Sequence, residues 1–328
     1  MKGGAKQLTK RGWALTRRRI RGVGAAVVRV TCGKLGVTKL FLPTVSDDPA
    51  LRCGKCDGCG CRPSLPPLPF TALTGPDLTS DDSKARVTSQ STINLRAFGH
   101  KLYSCQNGGT IQVFNHDLTP MHTWCDPEEW GNVNDVTELP TGQIAVAGSN
   151  GLFLVSAGGR RVSALRRHES FCSCASVKRR LVACSNSQRT IYEYSLHNNV
   201  WTQTYSIPQE ISPYSWIKLA VSDTNVIIGG CSNPDIIFEV TEAGTLPQRR
   251  VLGKERRYLL CAADEEGSIL AIDKRNGDLK VSESGGDWQM FRLEPPVRSP
   301  KSAVVIKNKL CVAADDGERL VLYTSSAE

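Results

Sequence analysis

The chain has 328 residues, of which 40% are hydrophobic, 22% charged and 6% aromatic. That is room for one large or two modest domains with a sizeable core, and it excludes disorder throughout. No run of eighteen apolar residues occurs, so a membrane-spanning helix is not expected. The net charge of +9 is uneven: residues 1–46 hold eleven Lys or Arg and no acid, whereas the other 282 residues carry 30 basic against 32 acidic side chains.

Residues 1–50 read as a basic N-terminal arm, expected to be largely disordered, with Arg17, Arg18, Arg19 and Arg21 at its centre. An acid-free arm of this kind fits a solvated tail, a nuclear-targeting or nucleic-acid-contacting segment, or a mitochondrial presequence. A secretory signal fits poorly, because Arg29 interrupts a short apolar run. Residues 51–83 hold a cysteine cluster followed by Pro63, Pro66, Pro67, Pro69 and Pro76, the composition of a linker. The chain has thirteen cysteines. Cys53, Cys56, Cys59 and Cys61 lie together, while Cys105, Cys184, Cys231, Cys261 and Cys311 sit singly in apolar runs, as small buried hydrophobes do. This usage points to a reducing compartment rather than a disulfide framework. The expected location is intracellular, in the nucleus or cytoplasm, with the mitochondrion as the alternative address.

From residue 84 to 328 the pattern changes to short apolar strands separated by polar turns. Pairs of strands recur six times: Leu102–Cys105 with Ile111–Phe114, Ile144–Ala147 with Leu152–Val155, Leu181–Cys184 with Ile191–Tyr194, Val226–Gly229 with Ile236–Val240, Ile269–Ile272 with Leu279–Val281, and Leu310–Ala313 with Leu320–Tyr323. Turns such as Gln106-Asn107-Gly108-Gly109 suit hairpins. Leu102 to Leu310 spans 208 residues in five steps, a mean spacing of 41.6, which is the period of a β-propeller. A further strand precedes five of the pairs, at Val133–Thr137, Cys172–Val177, Ile217–Val221, Tyr258–Ala262 and Ala303–Ile306. Outer, more polar strands follow, as at Trp201–Ile207 and Trp288–Leu293. The last unit has no room for its outer strand, so Ala85–Ser89 is expected to supply it and close the ring. The fold class expected is all-β, a six-bladed β-propeller.

The stretch from Asp135 to Gly148, followed by Gly151-Leu152-Phe153-Leu154-Val155, resembles an NHL repeat: a D-V-x-x-L-P-x-G-x-I-x-V-A segment leading into a short strand. Gln112-Val113-Phe114 is similar to the ending of that repeat. The resemblance spans roughly residues 84–326 and implies an NHL-like propeller, a type common at the C-terminus of tripartite-motif proteins. Neither a RING nor a B-box is present, so ligase activity does not follow. Separately, the opening Cys53-Gly54-Lys55-Cys56-Asp57-Gly58-Cys59 resembles the first half of a CXXC-type zinc finger, a DNA-binding module. It implies zinc as a cofactor on Cys53, Cys56, Cys59 and Cys61. The second cluster and the DNA-reading loop of that family do not follow, which sets zinc coordination apart from sequence-specific DNA binding.

Within the repeats, Arg160, Arg161, Arg166, Arg167, Lys178, Arg179 and Arg180 form a basic cluster with one acid, Glu169. Such a cluster fits either a nucleic-acid contact or solvated loops, and residues 84–328 balance at 27 basic against 26 acidic. Catalytic signatures are absent: there is no His-Glu-x-x-His, no Gly-x-Ser-x-Gly and no P-loop. The expectation is therefore a protein that is not an enzyme. It would be a protein-protein interaction scaffold recognising its partner through loops at 115–132, 156–170 and 241–257. The rival is nucleic-acid binding, to DNA through the arm and cysteine motif or to RNA through the Arg-rich loops.

Overall fold

The computed structural model describes residues 13–19, 26–32, 77–80, 85–177, 179–185, 187–207, 211, 217–221, 227–232, 235–241, 244–251, 258–263, 268–282, 288–307 and 309–325. The chain divides into two compact units, Met1–Cys61 and Arg62–Glu328. In the first, β1 (Trp13–Arg19) pairs antiparallel with β2 (Ala26–Cys32). Arg17, Arg18 and Arg19 lie on β1. In the register of the pair Leu15 stands opposite Val30, Arg17 opposite Val28 and Arg18 opposite Val27.

The second unit is built of strands that pair antiparallel, apart from one parallel pairing. Two short ones, β3 (Asp77–Ser80) and β4 (Arg86–Val87), precede a succession of up-and-down sets. The first set is β5 (Thr92–Phe98), β6 (Lys101–Gln106), β7 (Thr110–Asn115) and β8 (Pro120–Cys125); a short helix, α1 (Pro127–Trp130), leads out of it. The second is β9 (Val133–Glu138), β10 (Ile144–Gly148), β11 (Gly151–Val155) and β12 (Arg161–Arg167). The third is β13 (Phe171–Val177), β14 (Arg180–Ser185), β15 (Thr190–Ser195) and β16 (Val200–Ser206). The fourth is β17 (Ile217–Val221), β18 (Ile227–Ser232), β19 (Asp235–Thr241) and β20 (Gly244–Val251). Then come β21 (Tyr258–Ala263), β22 (Ile269–Asp273), β23 (Leu279–Ser282) and β24 (Trp288–Glu294). Last are β25 (Ser302–Ile306), β26 (Lys309–Ala314) and β27 (Arg319–Ser325). The architecture is that of a β-propeller.

Each set is a run of local hairpins, and its turns carry the residues such turns need. Gly108 and Gly109 both sit at φ +74°, and a side chain at Gly109 would meet the backbone of Pro127 at 2.5 Å. The innermost strands β5, β9, β13, β17, β21 and β25 contact one another in succession, and β25 returns to β5. Apolar clusters fill the spaces between sets. Tyr103, Trp124 and Ile111 pack on Val136, Ile144 and Phe153. Leu154 and Ala147 pack on Phe171, Leu181 and Tyr192. Val304, Ile306 and Leu322 pack on Leu95, Ala97 and Phe114, which joins the end of the chain to its beginning. The tryptophans Trp124 and Trp201 behave as inter-sheet packing residues: Trp124 is buried beside Tyr103, and Trp201 stands edge-on to Tyr194 at 5.1 Å.

Ring closure is shared between two segments. β4 pairs with Arg319 and Leu320 of β27, inside the segment the sequence assigns to closure. β3, which composition places in the linker, pairs with Tyr323, Thr324 and Ser325 of β27 and runs parallel to β24. The reason is Leu78, fully buried in a cluster with Leu293, Val305 and Tyr323. Thr88 adds a clasp, its hydroxyl donating to the carbonyls of Gly317 and Glu318 at 3.0 Å. Among the described residues no helix is long and apolar enough to cross a membrane. Leu78→Ala is expected to destabilise the full chain by about 2–5 kcal/mol, read as a lower urea midpoint at unchanged slope. A midpoint equal to wild type would mean that β3 does not close the ring.

Candidate functional site

Inner strands of neighbouring sets run side by side without a shared backbone ladder, so their polar side chains must join them. Asp135, in the middle of β9 and fully buried, is the main junction. Its Oδ1 accepts from Asn94 Nδ2 at 2.7 Å, Arg96 Nε at 2.7 Å and the Val136 backbone N–H at 2.9 Å. Its Oδ2 accepts from Arg96 Nη2 at 2.5 Å, the Ser173 hydroxyl at 2.5 Å and the Cys174 backbone N–H at 3.1 Å. The carboxylate thereby binds β5, β9 and β13 together.

The same stitch recurs around the axis. Ser173 Oγ accepts from the Leu219 N–H at 2.9 Å, linking β13 to β17. Ser302 Oγ accepts from the Leu95 N–H at 3.1 Å, linking β25 to β5, and donates to Asn94 Oδ1 at 3.1 Å. Arg96 spans further, its Nη2 donating to the Leu219 carbonyl at 2.9 Å. Burial opposes the charge of Arg96, but the paired Asp135 outweighs it and holds the guanidinium pKa above its ordinary value.

Against this network lies a cavity of about 690 Å³. It is walled by the first residues of the inner strands, among them Thr92, Asn94, Asn134, Ile217 and Leu260, and rimmed by the turn residues Asn107, Lys274, Lys301 and Asp316. Lys218, on β17, is partly buried in its wall and donates to Ser302 Oγ at 2.8 Å. Burial, helped by the nearby Arg96 charge, pushes its ammonium down from 10.5 to about 8, against the opposing pull of Cys261, Asp135 and Cys105. The thiols around the axis, Cys105, Cys174 and Cys261, are pushed up by burial and stay protonated and inert at neutral pH.

The structure disperses the residues singled out in the sequence. Arg21, Cys53, Cys56, Cys59, Cys61 and Lys178 lie outside the described residues, as do the side chains of Arg17, Arg18 and Arg19. Four of the repeat arginines meet carboxylates: Arg161 and Arg167 both pair with Glu129, Arg166 with Glu169 at 3.0 Å, and Arg180 with Glu193 at 3.1 Å. Arg166 also lies over the Tyr192 ring, 3.9 Å from its centroid. Arg160 and Arg179 are exposed. Among the described residues no group of His, Cys, Asp or Glu is arranged to hold a metal. The sequence reading missed Asn94 and Arg96 altogether, because β5 was not among its strands; the polar–apolar alternation from Thr92 to Ala97 is the signal that marks it. Lys218 carried no motif. It is distinguished as a lysine between the apolar residues Ile217 and Leu219 of an inner strand.

No family model and no curated protein matches the sequence. Solved structures match in fold. Virginiamycin B lyase from Staphylococcus aureus aligns with a TM-score of 0.53 at 10% identity, over 73% of this chain and 98% of that one. The β-propeller domain of Cps50 (Swd1) from Myceliophteria thermophila gives 0.52 at 11% identity, over 74% and 100%. A protein of unknown function from Bacteroides thetaiotaomicron gives 0.55 at 12% identity, over 77% and 73%. These likenesses establish the propeller fold, and one of them is an enzyme. The expectation that this chain is not an enzyme is corrected accordingly: missing linear motifs do not exclude catalysis on a fold that a lyase shares.

Removing the Asp135 carboxylate leaves Arg96 buried without its counter-charge, so Asp135→Ala is expected to cost about 3–5 kcal/mol in urea unfolding. The double variant Arg96→Met/Asp135→Leu should recover part of that loss, and additive costs would show that the two do not act as a pair. Lys218 acts in the opposite sense. Its folded pKa of about 8 lies below the ordinary 10.5, so between those values the unfolded chain holds a proton that the folded one has released. Wild-type stability relative to Lys218→Met should therefore rise across that window and stay level below it. A flat difference from pH 7 to 10 would overturn the assignment.

Proposed function

We propose that the chain is a six-bladed, NHL-like propeller acting as a protein-interaction scaffold, with its recognition surface on the loop face that surrounds the axial cavity. The observation that carries this reading is the contrast between a pinned axis and an exposed rim. Asp135 receives six hydrogen bonds at the centre, while Asn107, Ser299, Lys301 and Asp316 stand exposed around the cavity mouth. Rim residues can thus vary without disturbing the packed strands, as a recognition surface requires.

The count of six rests on the six inner strands in successive contact, with β3 and β4 completing the last set. The NHL-like character rests on the second set. The segment that begins at Asp135 folds as β9, a turn closed by Leu139 N–H to Gln143 O at 2.8 Å, and β10. The surface proposed is narrower than the loops at 115–132 and 156–170. The turn from Asn115 to Thr119 joins β7 to β8 at the end of the strands away from the cavity, whereas Pro127–Trp130 joins β8 to β9 at the cavity end.

A photo-crosslinking amino acid placed at Lys301 on the rim, and separately at the exposed Met121 on an outer strand, tests the reading in the source cells. The rim position should yield discrete protein adducts that survive nuclease treatment, and the outer position should not. Equal adduct patterns at both positions, or adducts lost with nuclease, would sink it.

A further inference from the structure

Among the described residues, the charges on the axis do not balance. Arg96 is matched by Asp135, at contact distance on both carboxylate oxygens. Lys218 has a hydroxyl, Ser302 Oγ, as its hydrogen-bond partner and no carboxylate within ion-pair distance among the described residues. A cation drawn out of water onto a neutral partner is held at a penalty that a nearby anion relieves. The cavity beside it supplies the space. Among the described residues its charged lining is Lys218, Lys274, Lys301 and Asp316, with Lys301 and Asp316 paired at 3.0 Å. Asn94, Asn107 and Asn134 bring amide groups, and Ile93, Ile217, Leu259, Leu260 and Pro300 give an apolar wall. About 690 Å³ lies within the range of small-molecule sites, which combine an apolar lining with a few convergent polar groups.

We propose that the axial cavity binds a small organic anion, a carboxylate or phosphate ester with an apolar body, whose charged group sits on the Lys218 ammonium and whose body rests on Ile217, Leu259 and Leu260. This goes beyond the scaffold reading and does not depend on it, since the ligand enters the cavity and a protein partner would cover its rim.

The proposal carries a pH signature. Among the described residues, the titratable and charged groups facing Lys218 are Arg96 on β5, Cys105 on β6, Asp135 on β9 and Cys261 on β21; the rim adds Lys274, Lys301 and Asp316. The two thiols are held protonated by burial, and Asp135 is committed to Arg96, so Lys218 is the group that changes charge near pH 8. An anion favours the ammonium, so binding draws a proton in and weakens as pH rises.

Calorimetric titration of the full chain with benzoate and with phenyl phosphate, and with benzylamine as the oppositely charged control, tests this. The two anions are expected to bind at pH 7 and to weaken on the order of tenfold or more by pH 9.5, and the tighter one identifies the headgroup. At pH 8 binding should take up roughly half a proton, seen as a dependence of the heat on buffer ionisation enthalpy. Lys218→Met should abolish binding, and the exposed rim variant Lys301→Ala, which does not put the fold at risk, should weaken it about two- to threefold. Binding of neither anion, equal binding of benzylamine, or pH-independent binding would overturn the proposal.

Discussion

The second unit depends on one carboxylate. A propeller has no continuous backbone ladder around its axis, so sets that are internally well paired meet there only through side chains and apolar packing. Asp135 answers that constraint by taking six donors from three consecutive inner strands, among them both nitrogens of an Arg96 fork. A buried carboxylate with all its lone pairs engaged gives direction to contacts that apolar packing alone leaves free to slide. Ser173 and Ser302 repeat the device in neutral form, each accepting a backbone N–H from the next inner strand. The registry of the ring is thereby set at its narrowest point.

From that centre outward the demands on the sequence relax. The clusters between sets need volume and apolarity, which Val, Leu, Ile, Cys and the aromatics supply interchangeably. The single cysteines Cys105, Cys184 and Cys311 fit this role, buried among aliphatic neighbours with thiols raised by desolvation. The outer strands need less still: β8 leaves only Trp124 buried, and β24 buries Phe291 and Leu293.

What could be read in the sequence follows the same gradient. The middle hairpins of each set were legible because their information is local, an alternating strand, a Gly- or Asn-bearing turn and a second strand. The architecture followed from their spacing. Partners distant in sequence were not legible. Arg96 reaches Asp135 across 39 residues and the Leu219 carbonyl across 123, and nothing near Arg96 advertises either. β3 has one buried leucine among polar neighbours and belongs to a strand more than 200 residues away, so composition files it with the prolines before it. The partners of the Arg160–Arg180 cluster were hidden for the same reason. Counting nearby acids finds only Glu169, whereas Glu129 from α1 and Glu193 from β15 take up three of the charges. The motif that did stand out, beginning at Asp135, marked a residue whose role lies in contacts the motif does not contain.

Pinning and function then meet at the same place. Filling the axis with a charge-matched Arg96–Asp135 pair fixes the inner strands, and the space left beside it is bounded by their starts and by the turns above. Lys218 stands in that wall with the pinning already done by others: Ser173 holds Leu219, Arg96 holds its carbonyl, and Ser302 is anchored by Leu95 and Asn94. A lysine whose neighbours no longer need it for registry is a cost to the fold. Methionine there would keep the stem's packing and shed the charge. A cation that the scaffold does not use, set in a cavity it does not fill, is the feature of this axis that stability leaves unexplained and an anionic ligand accounts for.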